Sequence, residues 1–289
     1  MKLTIINTMK IGFIGAGKVG STLAKYFISQ GISVAGFYSQ SFANAEQVCQ
    51  FTGCKPYTSI AALLDDSDVI LITVPDSQIA NVWSELCLLP LNNKLVGHCS
   101  GLLSSDIFMF NQSVYPFGFS LHPLYAIYDR FTCYQSMHHA YFTLQSDSET
   151  VLNQLQHIFT ALPNHISVID GAQKSLYHAA CVLLSNHVIA LAQIGSDMLK
   201  QCGLDEQFSE QAWHPLFLGN AQSLCQYGTL AALTGPIERA DVETIKQHLT
   251  ALSPDIKPLY QQLSLVLLKI SQQKHPQRDY QPLQLELLP

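Results

Sequence analysis

Side chains that can move a proton or hold a substrate oxygen cluster in one helical stretch, Gln173-Lys174-Ser175-Leu176-Tyr177-His178, with Ser185 and Asn186 further along. Lys174 and His178 stand four apart and share a helix face with Tyr177. Reduction of a C=O or C=N bond needs a proton donor beside the forming alkoxide or amine, and Lys, His and Tyr are the residue types that supply one. Asn186 offers both donors and an acceptor for a substrate oxygen. His122, beside Pro123, is suited to a proton relay, a substrate ligand or the brace of a turn. A lysine at a helix start and histidines satisfied at a helix interface are the bland account of the same residues. The sequence leaves both accounts open. Ser100 is not in a G-x-S-x-G elbow, so a serine hydrolase is not expected. His138-His139 lacks a carboxylate or cysteine at ligand spacing, and no metal is expected.

Proton donors of this kind need an electron donor held beside them. The stretch Lys10-Ile-Gly-Phe-Ile-Gly15-Ala16-Gly17-Lys18-Val19-Gly20 reads as an apolar strand and a glycine turn, followed by the amphipathic helix Ser21 to Phe27. Gly15 permits the tight turn, Gly17 lets the backbone approach a pyrophosphate, and Gly20 lets helix and strand pack closely. The helix N-terminus adds unpaired N–H groups and the positive end of its dipole. A second strand, 32–38, ends in Ser39-Gln40-Ser41. An NAD site has an Asp or Glu at that point for the ribose 2′-hydroxyl. Here no carboxylate follows until Glu46, and three hydrogen-bonding side chains are offered instead, with Lys18 available for charge. NADP is expected over NAD. A serine-rich turn after a strand is the plainer account.

Ligands of open α/β sheets lie past the carboxyl ends of the strands. That rule singles out Ser39 to Ser41, Val74-Pro75-Asp76 after the apolar run from Val69, His98 to Gly101 with Ser100 among them, and Ser120 to Pro123. Asp76 serves equally as the N-cap of the helix that follows. His98, inside a strand, is expected to be structural or cofactor-adjacent. Strands and helices alternate to about residue 170, which gives a doubly wound Rossmann-like α/β domain over 1–170. Beyond it only helices are expected, at 172–202, 205–227, 238–252 and 256–273, then an extended tail from Lys274. An all-helical domain of 171–289 results. No Gly/Ser-rich linker separates the halves, so a shared interface is expected. Within the helical half, Thr234 and Arg239 suit an anionic substrate group, or Arg239 pairs locally with Glu238 or Asp241.

The 289 residues are 48% hydrophobic and 12% charged, ample for a core and unlike a disordered chain. A net charge of −6 without a Lys/Arg cluster argues against nucleic acid as a partner. The eight cysteines form no C-x-x-C pair, as expected of a reduced cytoplasmic protein. Met1 to Met9 has no signal-peptide pattern, and its first eight residues are expected to extend the core fold. Leu176 to Leu199 carries too many polar groups for a lipid-facing span, and a buried helix is expected there rather than a membrane contact.

Taken in order, Gly15 to Gly20, Val74-Pro-Asp76, His98-Cys-Ser-Gly101, Ser120 to Leu124, Lys174 to Ala179, Asn186, and Leu233-Thr-Gly-Pro-Ile237 through His248 are similar to one family. The chain resembles the Rossmann-like proteins whose second half is domain of unknown function 2520. These are similar in plan to pyrroline-5-carboxylate reductase, ketopantoate reductase and other 6-phosphogluconate-dehydrogenase-like enzymes. The resemblance implies an all-helical, 6-phosphogluconate-dehydrogenase-like C-terminal domain, a homodimer formed through it, and NADP as cofactor. With the residues above, it implies hydride transfer to or from a small carbonyl or imine in the cleft between the domains. A non-catalytic NAD(P)-binding sensor or scaffold is the alternative. It supplies no substrate. The chain departs from the family at Gln40, where the pattern has Arg, and at Ala240, where the pattern has a Gly that accepts positive φ more readily.

Overall fold

Strand β1 (Ile11–Ile14) and strand β4 (Val69–Ile72) are buried along their whole length and lie side by side in parallel. Successive side chains of a strand point to opposite faces. Ile11, Phe13, Val69 and Leu71 therefore enter one apolar cluster, and Ile14, Ile70 and Ile72 enter another. A sheet covered on both faces needs unbroken apolar runs rather than alternation, which is what the sequence provides.

The computed structural model describes residues 9–92, 94–110 and 113–288. The expectation for Met1 to Thr8 lies outside them. After β1 come α1 (Lys18–Ser29), β2 (Val34–Tyr38), α2 (Phe42–Thr52), β3 (Lys55–Tyr57) and α3 (Ile60–Asp65). Following β4 are α4 (Asp76–Leu86), β5 (Leu95–His98), the hairpin strands β6 (Met109–Phe110) and β7 (Ser113–Val114), and β8 (Gly118–Leu124). A 3₁₀ stretch over Cys133–His139 leads to β9 (Tyr141–Gln145), α5 (Glu149–Ile158) and β10 (Ile166–Val168). The main sheet runs β3-β2-β1-β4-β5-β8-β9-β10, parallel except where β8 meets β9. Strand order reverses across β1 and β4, so a crevice opens there at the carboxyl ends. The expected doubly wound Rossmann-like fold is present.

Helices then follow: α6 (Lys174–Leu184), α7 (Asn186–Gln201), α8 (Glu206–Gln211), α9 (Trp213–Ala232), α10 (Pro236–Arg239), α11 (Val242–Ala251), α12 (Lys257–Lys274) and α13 (Gln281–Leu287). Two compact units result, Met1–Ile189 and Ala190–Pro289, and α6 is counted with the sheet. The second unit has its own small core of Ile237, Ile245, Leu249, Leu268, Tyr280, Leu283 and Leu287.

Several helices differ from expectation. The helix expected over 172–202 breaks at Ser185, whose hydroxyl turns back to the Cys181 carbonyl at 2.7 Å and whose backbone leaves the helical region. Helix α9 contains Gly228 at φ 77°, a left-handed residue that kinks it. The tail is helical rather than extended, because Pro282 stands in the first turn of α13, where its missing N–H costs nothing. Leu283 and Leu287, one turn apart, anchor that helix in the core. The segment 171–201 is also not a buried helix. It is apolar enough by length and composition to cross a membrane, yet Leu176, Leu183, Leu184 and Ile189 are 72%, 59%, 79% and 70% exposed.

Candidate active site

The loop from β1 to α1 is shaped by its glycines. Gly15 has φ 109°, and a side chain there would also meet the Thr73 backbone at 2.9 Å. At Gly20 a Cβ would fall 2.4 Å from Thr73 Oγ1 and 2.6 Å from the Gly15 carbonyl. Thr73 Oγ1 donates to that same carbonyl at 2.8 Å, which ties the loop to the end of β4. Gly17 is different. Among the described residues only the Thr73 carbonyl comes within 4 Å of its Cβ position, at 3.9 Å, so none of them fills the space before it. Gly17 is also the N-cap of α1, with no side-chain cap and no acid in the first turn. The N–H groups that begin the helix are left for an anion.

Beside this loop lies a cleft of about 220 Å³ lined by Gly15, Tyr38, Ser39, Gln40, Val74, Pro75 and Glu85, among others. Ser39 and Gln40, just past the end of β2, form part of its wall. Among the described residues, Glu85 is the only charged one lining it. Ser41 instead caps α2, accepting from Asn44 N at 3.4 Å.

Further along the rim, Ser100 is a hub. Its hydroxyl donates to Asp76 Oδ2 at 2.6 Å and accepts the Leu102 and Leu103 N–H groups at 3.1 and 3.0 Å. Its N–H donates to His98 Nδ1 at 3.2 Å, and its carbonyl accepts Lys174 Nζ at 2.9 Å. His98 is fully buried, with Nε2 on the Ser104 carbonyl at 3.1 Å, so the proton sits on Nε2. Burial pushes His98 down to about 4, and it is neutral at pH 7. Of the two roles open to Asp76, the cap of α4 is not the one seen. Pro75 is the N-cap, no side-chain cap bond forms, and the Asp76 carboxylate turns to Ser100.

Lys174 is 1% exposed, and its amine donates to the Ser100 carbonyl and, at 2.7 Å, to Ser120 Oγ. No ion pair reaches it among the described residues. Burial lowers its pKa to about 8, against the opposing pull of Cys99 and Asp76. Its place in the first turn of α6 adds to the cost of the charge, since a helix N-terminus repels cations. His122 Nδ1 lies 2.7 Å from the Tyr177 hydroxyl, edge to face. Burial lowers His122 to about 4 and raises Tyr177 to about 12, so both are neutral near pH 7. With Tyr177 donating, the imidazole proton is on Nε2. The Gly101 Cβ position is 3.0 Å from His122 Nε2 and 2.8 Å from His178 Cδ2, so a bare glycine lets both rings approach.

Of the residues singled out by sequence, Lys174, His178, His122, Ser100 and Asp76 thus belong to one cluster. Gly15, Ala16 and Gly17 form the loop, Lys18, Val19 and Gly20 the first turn of α1, and Ser39, Gln40, Val74 and Pro75 line the cleft. Asn186 stands exposed at the start of α7, with Ser185 Oγ as its hydrogen-bond partner at 3.1 Å. Arg239 lies 4.0 Å from Asp241, which caps α11 through Thr244 N at 3.1 Å, so the local pairing is the one seen. Two residues escaped the sequence reading. Ser120 was part of a strand end without a role, and Arg130, whose Nη2 donates to the Ala16 carbonyl at 2.9 Å, sits in a loop with no motif.

Comparison with known proteins bears on the fold that carries these residues. Residues 10–96 match the family described as NADP oxidoreductase, coenzyme F420-dependent, and residues 140–266 match domain of unknown function 2520. A protein of Thermotoga maritima is similar at 24% identity and TM-score 0.72, over 92% of this chain and 99% of that one. A candidate NADP oxidoreductase of Bacteroides fragilis follows at 22% identity and TM-score 0.70, over 91% and 99%. Pyrroline carboxylate reductase of Plasmodium falciparum, solved with NADP bound, aligns at 17% identity and TM-score 0.56, over 93% and 97%. At these identities the structures show a shared fold. No curated protein matches the chain. The resemblance read from the motifs is borne out: an oxidoreductase-type Rossmann-like domain is joined to a DUF2520 domain.

Proposed function

We propose that this protein is an NADP-dependent oxidoreductase acting on a small carbonyl or imine. The carrying observation is Lys174, a buried amine lowered to about 8 and bonded to two neutral oxygens, beside His122 and His178 on the rim that continues from the glycine loop. A nicotinamide, if bound at that rim, would supply or accept the hydride. Lys174 in its ammonium form then gives a proton to the oxygen or nitrogen at the reduced carbon, or in the reverse direction takes one. Ser100 and Ser120 fix the amine, and His122 Nε2–H, with Tyr177 behind it, holds a substrate acceptor atom. Asn186 is assigned to substrate binding. Ser39 and Gln40 donate to a 2′-phosphate, and Glu85 opposes it. Purified protein is expected to bleach NADPH absorbance with at least one member of a panel of keto acids and cyclic imines. Tight cofactor binding with no turnover on any member, and unchanged ligand binding in the Lys174→Ala/His178→Ala double variant, would favour the sensor or scaffold reading instead. Equal dissociation constants for NADPH and NADH would sink the preference for NADP.

A second copy of the chain is the proposed cover for the apolar residues exposed on α6 and α7, Leu176, Leu183, Leu184 and Ile189 among them. Sedimentation of a monomer at micromolar concentration would remove that assignment. The cytoplasm is the proposed location, in keeping with eight free thiols.

A further inference from the structure

Among the described residues, Arg130 is a cation without an anion. Its guanidinium lies 4.9 Å over the Phe131 ring and donates through Nη2 to the Ala16 carbonyl, between Gly15 and Gly17. Nε is shielded from solvent and has no hydrogen-bond acceptor among the described residues. No carboxylate pairs with it there either. Its neighbour Asp129 is already committed, accepting from Phe131 N, Thr132 N and Thr132 Oγ1 at 3.0, 2.8 and 2.7 Å. Those bonds hold the Asp129 carboxyl below the usual carboxylate range and fix the turn that carries Arg130. Desolvating a charged fork for one carbonyl contact is unfavourable on its own. A fixed, half-buried guanidinium beside an uncapped helix start has the geometry of an anion clamp.

We propose that Arg130 binds the pyrophosphate of the dinucleotide, adding the charge that the neutral N–H groups of α1 lack. This rests on the dinucleotide-binding reading above. The anchor on Ala16 assigns Arg130 to the pyrophosphate rather than to the 2′-phosphate, whose expected donors are Ser39 and Gln40 beyond β2. The two phosphates make different demands on an experiment, because NADH has only the first.

Dissociation constants for NADPH and NADH are measured by calorimetry on the wild type, Arg130→Gln and Arg130→Lys, with melting temperatures of the ligand-free proteins alongside. Arg130→Gln is expected to weaken both dinucleotides by the same factor, roughly tenfold or more for a charged hydrogen bond, with an unchanged melting temperature. Arg130→Lys keeps a charge but loses the fork and falls between. A wild type that binds neither dinucleotide sinks the function proposed above along with this clamp. Wild-type binding with both affinities unchanged in Arg130→Gln overturns the clamp alone and leaves Arg130 a brace for the loop. Loss confined to NADPH moves the residue to the 2′-phosphate and overturns the assignment. If Arg130→Gln does not fold, Arg130→Lys decides: affinity equal to wild type for both dinucleotides overturns the clamp.

Discussion

The two ends of the sheet's rim are built by opposite means. At the β1–α1 end the working groups are backbone: Gly15 for its φ, Gly20 for its packing, and an uncapped run of N–H groups at Gly17. At the β5–β8 end they are side chains, brought from residues 76, 98–104, 120–122 and 174–178 onto Ser100 and Lys174. A backbone site tolerates any change that adds no Cβ and keeps the helix. A side-chain site fails one atom at a time. The difference teaches where substitutions separate binding from chemistry.

The largest separation is expected at Lys174. Methionine keeps much of its volume and removes the amine. Lys174→Met should lower turnover of whichever imine or carbonyl the wild type reduces by about 10² to 10⁴, while NADPH affinity, read by calorimetry, stays near the wild-type value. Affinity that collapses together with turnover would erase the division between the two ends. In the wild type, turnover in the reductive direction should fall as pH rises through about 8, where the proton on Lys174 is lost.

The histidines make the next test. His98 is neutral and fully buried, lowered to about 4 from an ordinary 6.5. Between those values the unfolded chain binds the proton and the folded one does not, so stability is lost as pH falls from 6.5 towards 4 and the loss levels off below. The full effect is on the order of 3 kcal/mol for a shift of this size, and His122 adds in the same direction. Urea unfolding against pH should show this slope in the wild type and a shallower one in His98→Asn. Equal slopes would mean that the rim does not hold His98 neutral.

The two ends also differ in how far they could be read in advance. The glycine loop is a local pattern: strand, turn and helix lie within residues 11–27, and the chemistry is in their spacing. The doubly wound plan followed from the alternation of apolar runs and helices for the same reason, whereas the antiparallel pairing of β8 with β9 has no such local signal. The hub at Ser100 joins residues up to 74 positions apart, and nothing in a linear pattern says that Lys174 meets Ser120 rather than water. Lys174 and His122 were legible as residue types at suggestive places, and their partners were not. Asp76 shows the limit most plainly, since a carboxylate after Pro75 suits a cap as well as a hydroxyl partner. Arg130 was invisible because its loop owes its shape to an Asx turn at Asp129, and its position to packing along α1, not to any periodicity.

Ser100→Ala tests the hub itself. It strips one hydroxyl and leaves the Asp76 carboxylate and the Leu102 and Leu103 N–H groups without their partner. Asp76 is exposed and water replaces the hydroxyl there, so the cost falls mainly on the N–H groups, about 1 to 3 kcal/mol. Urea unfolding measures it. A loss near zero would mean that the segment after β5 holds its shape without Ser100, and the rim would then be less side-chain-dependent than the comparison claims.

The smallest effect lies in the second unit, where the chain assigns a left-handed residue to alanine. Gly15 carries φ 109° with no Cβ to resist it, whereas Ala240 carries φ 60° and ψ 38° between α10 and α11. A non-glycine residue in that region costs about 1 to 2 kcal/mol. Replacing it with glycine also frees the unfolded chain, which takes back about 0.4 to 1 kcal/mol, and removes a methyl packed at the edge of the Ile237 cluster. The backbone term exceeds the other two by a narrow margin, so Ala240→Gly should stabilise the protein by about 0.5 kcal/mol, seen as a higher urea midpoint. A lower midpoint would show that the methyl holds the α10–α11 turn more firmly than its backbone angle loosens it, and that this turn, like Ser100, depends on a side chain.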